Sequence, residues 1–126
     1  MNLQRVRADI QAAKEHFPNI ESYTTADGTP YIKVMLMTSI GKMYVANVTF
    51  DSYPSLMPKF TVTAPAIKHG MHMYTAGHIC YMHPSHWNPA RHDLRYALMQ
   101  AAVWLNKNDV YMATGRWPGP SLRHTA

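Results

Sequence analysis

The sequence has little cysteine and contains no long hydrophobic run. Cys80 is the only cysteine, which excludes a disulfide within the chain and fits a reducing compartment. No apolar run approaches the ~20 residues that are needed to cross a bilayer. Polar residues interrupt the N-terminal segment throughout, so we expect no secretory signal. The sequence therefore predicts a cytoplasmic protein that has no membrane partner.

Acidic side chains are also scarce, with 7 Asp and Glu against 12 Lys and Arg, for a net charge of +5. A nucleic-acid-binding protein usually gathers its basic residues into a stripe or face, whereas here they are scattered. We therefore expect no nucleic-acid partner, and the basic surface favours acidic proteins. The 126 residues, 47% of them hydrophobic, predict a single domain over 1–126 with a real core.

Two hydrophobic periods indicate the fold class. A helical period opens the chain and predicts a helix that ends near Phe17, before Pro18. A period of two follows in segments 20–25, 31–38, 42–50 and 60–62, with turns at Asp27-Gly28 and at residues 39–41. This pattern predicts an antiparallel meander of four strands. The apolar residues of the first helix are Leu3, Val6, Ile10, Ala13 and Phe17.

The second half of the chain is less regular. Segment 65–89 shows no clean period and predicts a long loop, which in a compact domain is usually functional. Asn88-Pro89 has the composition of a helix start, and the apolar stripe that follows predicts a helix that fades near Asn106. From residue 111 the sequence predicts an irregular tail. The predicted class is α+β, with an N-terminal helix, a four-stranded sheet, a long loop and a second helix packed on the sheet.

The long loop contains Cys80, in the segment TAGHICYMHPSHWNP at 75–89. Free cysteines are often buried and inert, but functional residues concentrate in loops of this kind. His78, His83 and His86 are close in sequence, and a nearby imidazolium would favour the thiolate. A thiolate can attack and carry an acyl group. Cys80 is thus a candidate nucleophile.

Two other interpretations use the same histidines. A zinc site would draw on Cys80-x-x-His83 and His69-x-x-His72, although this spacing matches no strong two-plus-two pattern. A hydrolase would use His83 or His86 as base and Asp93 to orient it, a geometry that sequence does not show. The potential zinc ligands are His69, His72, His78, Cys80, His83 and His86.

The order of these elements resembles the ubiquitin-conjugating enzymes. The likeness begins at GKMYVANVTFDSYPSLMPKFTV, where Tyr53-Pro54 and Pro58 match the family's Tyr-Pro-x-x-Pro-Pro turn, with Met57 in place of one proline. Gly77-His78-Ile79-Cys80 resembles the Gly-x-Ile-Cys around the thioester cysteine. The family's Trp-x-Pro has its counterpart in Trp87-Asn88-Pro89. The resemblance covers residues 1 to about 106, in the family's order.

That resemblance implies a mechanism and a set of site residues. Cys80 would accept the C-terminal carboxyl of a partner protein as a thioester, which a target amine would then attack, without a cofactor or a metal ion. The family's His-Pro-Asn, whose Asn supports the loop and the oxyanion, is replaced here by Gly70-Met71-His72. His72 is the expected substitute and His69 the second, while His83 could act as base. The residues expected to brace the loop are Tyr53, Pro54, Pro58, Trp87 and Pro89.

The resemblance also implies partners. The chain stops before the last two helices of the eukaryotic members, as do the short bacterial forms that are found in anti-phage operons. The expected partners are an activating enzyme, a ubiquitin-like modifier or the C-terminus of a nucleotidyltransferase, and a target protein. The first helix would dock the activating enzyme through Arg5, Arg7 and Lys14, although a solvated polar face explains these charges equally well. A catalytically inactive binding module of the same fold is the alternative.

Overall fold

A computed structural model describes residues 1–119, which form a helix, a sheet and a second long helix in that order. Helix α1 is Leu3–Lys14 and helix α2 is Leu94–Thr114. Within this range, no helix is both long enough and apolar enough to cross a membrane. The four strands are β1 Ile20–Thr24, β2 Pro30–Met37, β3 Met43–Thr49 and β4 Lys59–Ala64.

The sheet is an antiparallel meander in the order β1-β2-β3-β4, as the period of two predicts. In β2 the buried residues alternate with exposed ones, because successive side chains of a strand point to opposite faces. Val34 of β2 pairs with Ala46 of β3, so the two buried sets lie side by side. The predicted turn at Asp27-Gly28 joins β1 to β2, and Gly28 adopts a φ of 88° that other residues rarely take. The predicted α+β class is confirmed.

One hydrophobic core joins the sheet to both helices. The buried face of the sheet includes Val34 and Val48. Helix α1 contributes Val6, Ile10 and Ala13 of its predicted apolar stripe. Leu3, at the start of that stripe, remains 38% exposed, and α1 ends at Lys14 rather than near Phe17. The residues of α2 in the core are Leu94, Ala97, Leu98, Ala101, Trp104 and Leu105.

The predicted start of α2 at Asn88-Pro89 is wrong. The helix begins at Leu94 and is capped by Asp93, whose carboxylate accepts a hydrogen bond from the Tyr96 amide at 2.9 Å. Asn88 instead closes a separate turn, in which its side chain accepts from the Ala90 amide at 3.0 Å. Both residues are good helix caps in isolation, so local composition does not decide between them.

The predicted end of α2 near Asn106 is also wrong. The helix continues to Thr114, and the chain leaves it at Gly115, which has a left-handed φ of 74°. Residues 111–114 therefore belong to the helix rather than to the predicted irregular tail, and residues 115–119 are irregular. The rest of that predicted tail, 120–126, lies outside the described residues.

Removal of the α2 cap gives a first testable prediction. We expect Asp93→Ala to lower the free energy of unfolding by about 1 kcal/mol, because one amide of the first turn loses its partner. Asn88→Ala is the matched control, and we expect a change within about 0.5 kcal/mol, since Asn88 is exposed. Equilibrium urea unfolding measures both variants. A larger loss for Asn88→Ala would show that the helix is capped there instead.

Candidate active site

Cys80 lies in a short hairpin that the sequence did not predict. Met73 and Ile79 form an antiparallel bridge, and the Cys80 amide donates to the His72 carbonyl at 2.9 Å. The Ile79 amide donates to the Phe60 carbonyl at 2.9 Å, so the hairpin is attached to β4. The Ile79 side chain is buried in the core. This hairpin, residues 72–80, is the part of the predicted long loop that positions the thiol.

Tyr74 brings together two other side chains of this hairpin, His78 and Cys80. Tyr74 contacts both the Cys80 sulfur and the His78 ring, and the three residues alternate in sequence with the bridge residues Met73 and Ile79, whereas His72 precedes the bridge with a left-handed φ of 52°. The Tyr74 amide donates to the His78 carbonyl at 2.9 Å, and their two rings stack with centroids 4.4 Å apart. The period of two that defines strands thus also brings these groups together, over too short a stretch to be recognised from sequence.

The thiol itself is more enclosed than expected. The Cys80 residue is only 1% exposed. Its Sγ lies 3.4 Å from the Tyr74 hydroxyl and 3.8 Å from the Met82 carbonyl oxygen. Burial raises the pKa of the Cys80 thiol, and the hydrogen bonds with Tyr74 and Met82 partly oppose this rise. The pKa of the thiol is therefore raised, whereas the sequence suggested that a neighbouring imidazolium would favour the thiolate.

A groove with a volume of about 290 Å³ runs beside the thiol. It lies between the hairpin, residues 81–86 and α2, and Cys80 lines it. His72 and His83, two of the predicted catalytic residues, line the same groove, as does Lys107 of α2. The structure thus brings the cysteine and two of the three candidate histidines to one cavity.

His69, the third candidate, lies elsewhere. Its Nδ1 accepts from the Met71 amide at 2.8 Å, so the ring proton of the neutral form is on Nε2, which lies 2.6 Å from the Asn108 Oδ1. Asn108 donates in turn to the Tyr44 hydroxyl at 3.0 Å, and Tyr44 donates to Asp109 at 2.5 Å. These contacts indicate that His69 fastens the loop to α2. Nothing in the sequence distinguishes Asn108 and Asp109 from exposed helix residues.

His83 stands at the start of a short 3-10 turn, Pro84–His86. Its Nδ1 accepts from the Ser85 amide at 3.1 Å and lies 2.6 Å from the Ser85 hydroxyl. The neutral ring therefore carries its proton on Nε2. The His83 and His86 rings are neighbours, with centroids 5.7 Å apart. Local contacts of this kind fix the ring at the edge of the groove.

The Tyr-Pro turn and the Trp-x-Pro segment are in direct contact. The Trp87 indole donates to the Pro54 carbonyl at 2.7 Å, and the Trp87 ring lies 6.0 Å from that of Tyr53. Next to the cysteine, the Tyr81 hydroxyl donates to the Pro58 carbonyl at 2.6 Å. Two residues that follow Cys80 are thus tied to the turn between β3 and β4.

Arg5 ties α1 to the same region. Its guanidinium donates to the Pro89 carbonyl at 3.2 Å and to the His92 carbonyl at 2.9 Å, and its Nε donates to Asp9 at 2.8 Å. The side chain that was expected to face a partner therefore serves internal contacts. Arg7, by contrast, is exposed.

This arrangement predicts different roles for two neighbouring arginines. We expect Arg5→Ala to lower the free energy of unfolding by about 1–2 kcal/mol, because two carbonyls lose a charged donor. The figure is at the lower end because the Arg5 side chain is 30% exposed. Arg7→Ala should change it by less than about 0.5 kcal/mol. Equilibrium urea unfolding measures both variants. Equal losses of stability in Arg5→Ala and Arg7→Ala would contradict a stabilising role for the hydrogen bonds of Arg5.

The geometry gives little support to the zinc site and the hydrolase site that the sequence left open. Within residues 1–119, no group of three or more His, Cys, Asp or Glu side chains is arranged to hold a metal ion. Asp93, the predicted orienting acid of a hydrolase, has its carboxylate engaged in capping α2. His78 faces the Tyr74 ring rather than a second ligand.

Comparison with solved structures identifies the class of fold. The chain is similar to the yeast Vps23 UEV domain solved in complex with a Vps27 PSDP peptide, with 16% identity and a TM-score of 0.60 over 97% of this chain and 86% of that one. It is also similar to the Vps23 UEV solved in complex with ubiquitin, with 18% identity and a TM-score of 0.56 over 81% of each chain. The fold is therefore that of UEV domains and ubiquitin-conjugating enzymes.

The sequence itself identifies the family. Residues 9–125 match the family described as Type II CBASS E2 protein. The chain belongs to this family, which is the E2-like protein of a bacterial anti-phage system, as the sequence resemblance implies. No curated protein matches the sequence.

Proposed function

We propose that the chain is a ubiquitin-conjugating-like transferase that carries a partner's C-terminus as a thioester on Cys80 and passes it to an amine of a target. The observation that carries the proposal is the position of Cys80, the only thiol of the chain, on the wall of a 290 Å³ groove beside His72 and His83. Membership of an E2 family agrees with it.

The proposed chemistry is two acyl transfers. In the first, the Cys80 sulfur attacks the carbonyl carbon of an activated thioester, a C–S bond forms, and the donor thiolate leaves with the proton of the Cys80 thiol. In the second, the target amine attacks, a C–N bond forms, the C–S bond to Cys80 breaks, and one amine proton passes to the sulfur. His83, at the edge of the groove, is the proposed base for the amine, and His72 the proposed donor to the oxyanion.

The proposed partners follow from the family and the fold. The donor is a ubiquitin-like modifier or the C-terminus of a nucleotidyltransferase, which an activating enzyme supplies as a thioester. The Vps23 UEV was solved with ubiquitin, which agrees with a partner of that shape for this fold. Arg7 and Lys14 remain the proposed docking residues on α1, whereas the contacts of Arg5 within the chain argue against a direct role for it.

One observation favours the alternative, a binding module without catalysis. Cys80 is 1% exposed and its pKa is raised by burial, as for an inert core cysteine. The two proposals differ in what happens to the thiol once partners are present.

The test is a charging reaction with a ubiquitin-like modifier or nucleotidyltransferase from a system of this family, the activating enzyme and ATP. Transferase activity predicts an adduct on non-reducing gels that disappears on reduction and is absent from Cys80→Ala. If a partner set that is active with another E2 protein gives no such adduct, and Cys80→Ala still supports defence against phage, the binding module is the correct interpretation.

A further inference from the structure

Tyr74 is the side chain whose hydroxyl contacts the thiol. The Cys80 Sγ and the Tyr74 hydroxyl oxygen are 3.4 Å apart, within hydrogen-bond range for sulfur. Cys80 and Tyr74 lie on opposite arms of the hairpin and on the same face, where diagonal neighbours can touch. The contact is therefore built into the register of the hairpin.

Three further contacts hold the Tyr74 ring in place. His78 lies directly across the hairpin and stacks on the phenol ring with an interplanar angle of 21°. The Tyr74 amide is bonded to the His78 carbonyl, and its carbonyl accepts from the Gly77 amide at 2.9 Å, which closes the turn. A hydroxyl held in this way loses little rotational freedom when it bonds to the sulfur, so its bond to the charged form is pre-organised.

We propose that Tyr74 is a catalytic residue whose hydroxyl donates a hydrogen bond to the Cys80 thiolate. This inference rests on the proposed transfer function. When the thiol is protonated, it donates to the hydroxyl oxygen, and once the proton has left, the hydroxyl donates to the sulfur. In the first acyl transfer, the capture step in which Cys80 accepts the acyl group, this bond increases the fraction of Cys80 that is present as thiolate. In the release step the same hydroxyl stabilises the sulfur as the C–S bond breaks and the electron pair returns to it.

The protonation state of the phenol supports this role. Burial and the hydrogen bond with Cys80 raise the pKa of Tyr74 well above its ordinary value. The phenol therefore keeps its proton well above neutral pH and remains a donor to the sulfur. Hydrogen bonds to a charged acceptor are roughly twice as strong as those between neutral groups, so the thiolate gains more than the thiol.

Other charged or titratable groups share the groove with the thiol or lie next to Tyr74. The groove is lined by His72 of the hairpin, by Tyr81, His83 and His86 of segment 81–86, and by Tyr96 and Lys107 of α2, while His78 stacks on the Tyr74 ring. All of them are retained when Tyr74 is changed to Phe. A comparison of the two proteins therefore isolates the contribution of one hydroxyl.

The experiment measures the rate of Cys80 alkylation by iodoacetamide from neutral to alkaline pH. Cys80 is the only cysteine, so every event reports on the site, and no partner protein is needed. We expect Tyr74→Phe to react about tenfold more slowly below the pKa of the thiol, with the midpoint moved to higher pH. The alkaline plateau should be kept or rise, because a less stabilised thiolate is the better nucleophile.

Tyr81→Phe is the matched control, because it removes a hydroxyl next to Cys80 in sequence that bonds to Pro58 instead. It should leave the midpoint unchanged. Fluorotyrosine at residue 74, a stronger donor, should move the midpoint to lower pH. An unchanged midpoint in Tyr74→Phe, an equal shift in Tyr81→Phe, or no downward shift with fluorotyrosine would overturn the proposal.

A second readout concerns acyl transfer. The wild-type chain should be charged by a synthetic thioester of the partner's C-terminal peptide, and Tyr74→Phe should be charged about tenfold more slowly at neutral pH. Equal charging rates in the two proteins would contradict a catalytic role. If the wild type is charged neither by this thioester nor with the activating enzyme and ATP, the proposed function fails, whereas the alkylation profile still decides whether Tyr74 bonds to the thiolate.

Discussion

Cys80→Ser should convert a reductant-sensitive adduct into one that survives reduction. Serine places a hydroxyl where the thiol lines the groove, and an acyl group on it is an ester of oxygen that thiols exchange slowly. Because the hydroxyl is far less acidic than a thiol, charging should be slower by orders of magnitude and the product longer-lived. Charging with the activating enzyme and ATP, followed by gels with and without dithiothreitol, measures both effects.

Two further samples make this result decisive. Cys80→Ala keeps the size of the side chain close to that of serine but has no nucleophile, so it should show no adduct. Hydroxide treatment of the Cys80→Ser adduct should release the partner, as expected for an ester but not for an amide. If Cys80→Ala retained a reductant-sensitive adduct, the acyl group would lie on another protein, and the proposed intermediate would be wrong.

Trp104→Ala should cause the largest loss of stability among the changes considered. The side chain is 3% exposed in the core, and its indole donates to the His72 carbonyl at 3.2 Å. Truncation of a buried tryptophan costs about 3–5 kcal/mol, a large part of the roughly 5–15 kcal/mol that stabilises a domain. Equilibrium urea unfolding measures this loss. Cys80 alkylation at fixed pH should also become faster, because the hairpin loses a contact with α2.

Trp117→Ala is the control for this prediction. Trp117 follows α2 and packs at 5.3 Å from the Trp104 ring, but it is only partly buried. We expect Trp117→Ala to lower the free energy of unfolding by about 1–2 kcal/mol, because the Trp117 side chain removes a smaller apolar area from water than the Trp104 side chain does. Losses of the same size in the two variants would mean that the indole of Trp104 is not the main link between α2 and the hairpin.

The sheet was predictable because its pattern is long and repeated. Strands β2 and β3 alternate buried and less buried residues over seven or eight positions, and their turns contain Gly28 and Gly41 at positive φ. These signals depend on backbone geometry alone, so they are readable without knowledge of tertiary contacts. The order of the motifs around them was sufficient to predict the fold class.

The bounds of α2 were not predictable because distant groups decide them. The carbonyls of Pro89 and His92 accept from Arg5, 84 and 87 residues away, so they are engaged outside the helix. At the other end, Asn108 and Asp109 are poor helix formers, yet they are buried and bonded to one another through the Tyr44 hydroxyl. Tertiary contacts of this kind override local propensity.

The candidate site was predicted in part. Sequence composition selected Cys80 and the histidines, and the structure places Cys80, His72 and His83 at one groove. It separates His69, whose bond to Asn108 spans 39 residues and leaves no local signal. Tyr74 was missed, because its relation to Cys80 depends on a hairpin that is too short to show a period.

The pleat of residues 72–80 also restricts how this segment can change in length. One residue inserted between Gly77 and Cys80 would exchange the inward and outward positions, so that the sulfur would point toward Phe60 and an aliphatic chain toward the groove. Extra residues at Thr75 and Ala76, in the turn, would leave the alternation intact. Insertions and deletions among proteins related to this chain should therefore occur at the turn of the hairpin and be rare in its two arms.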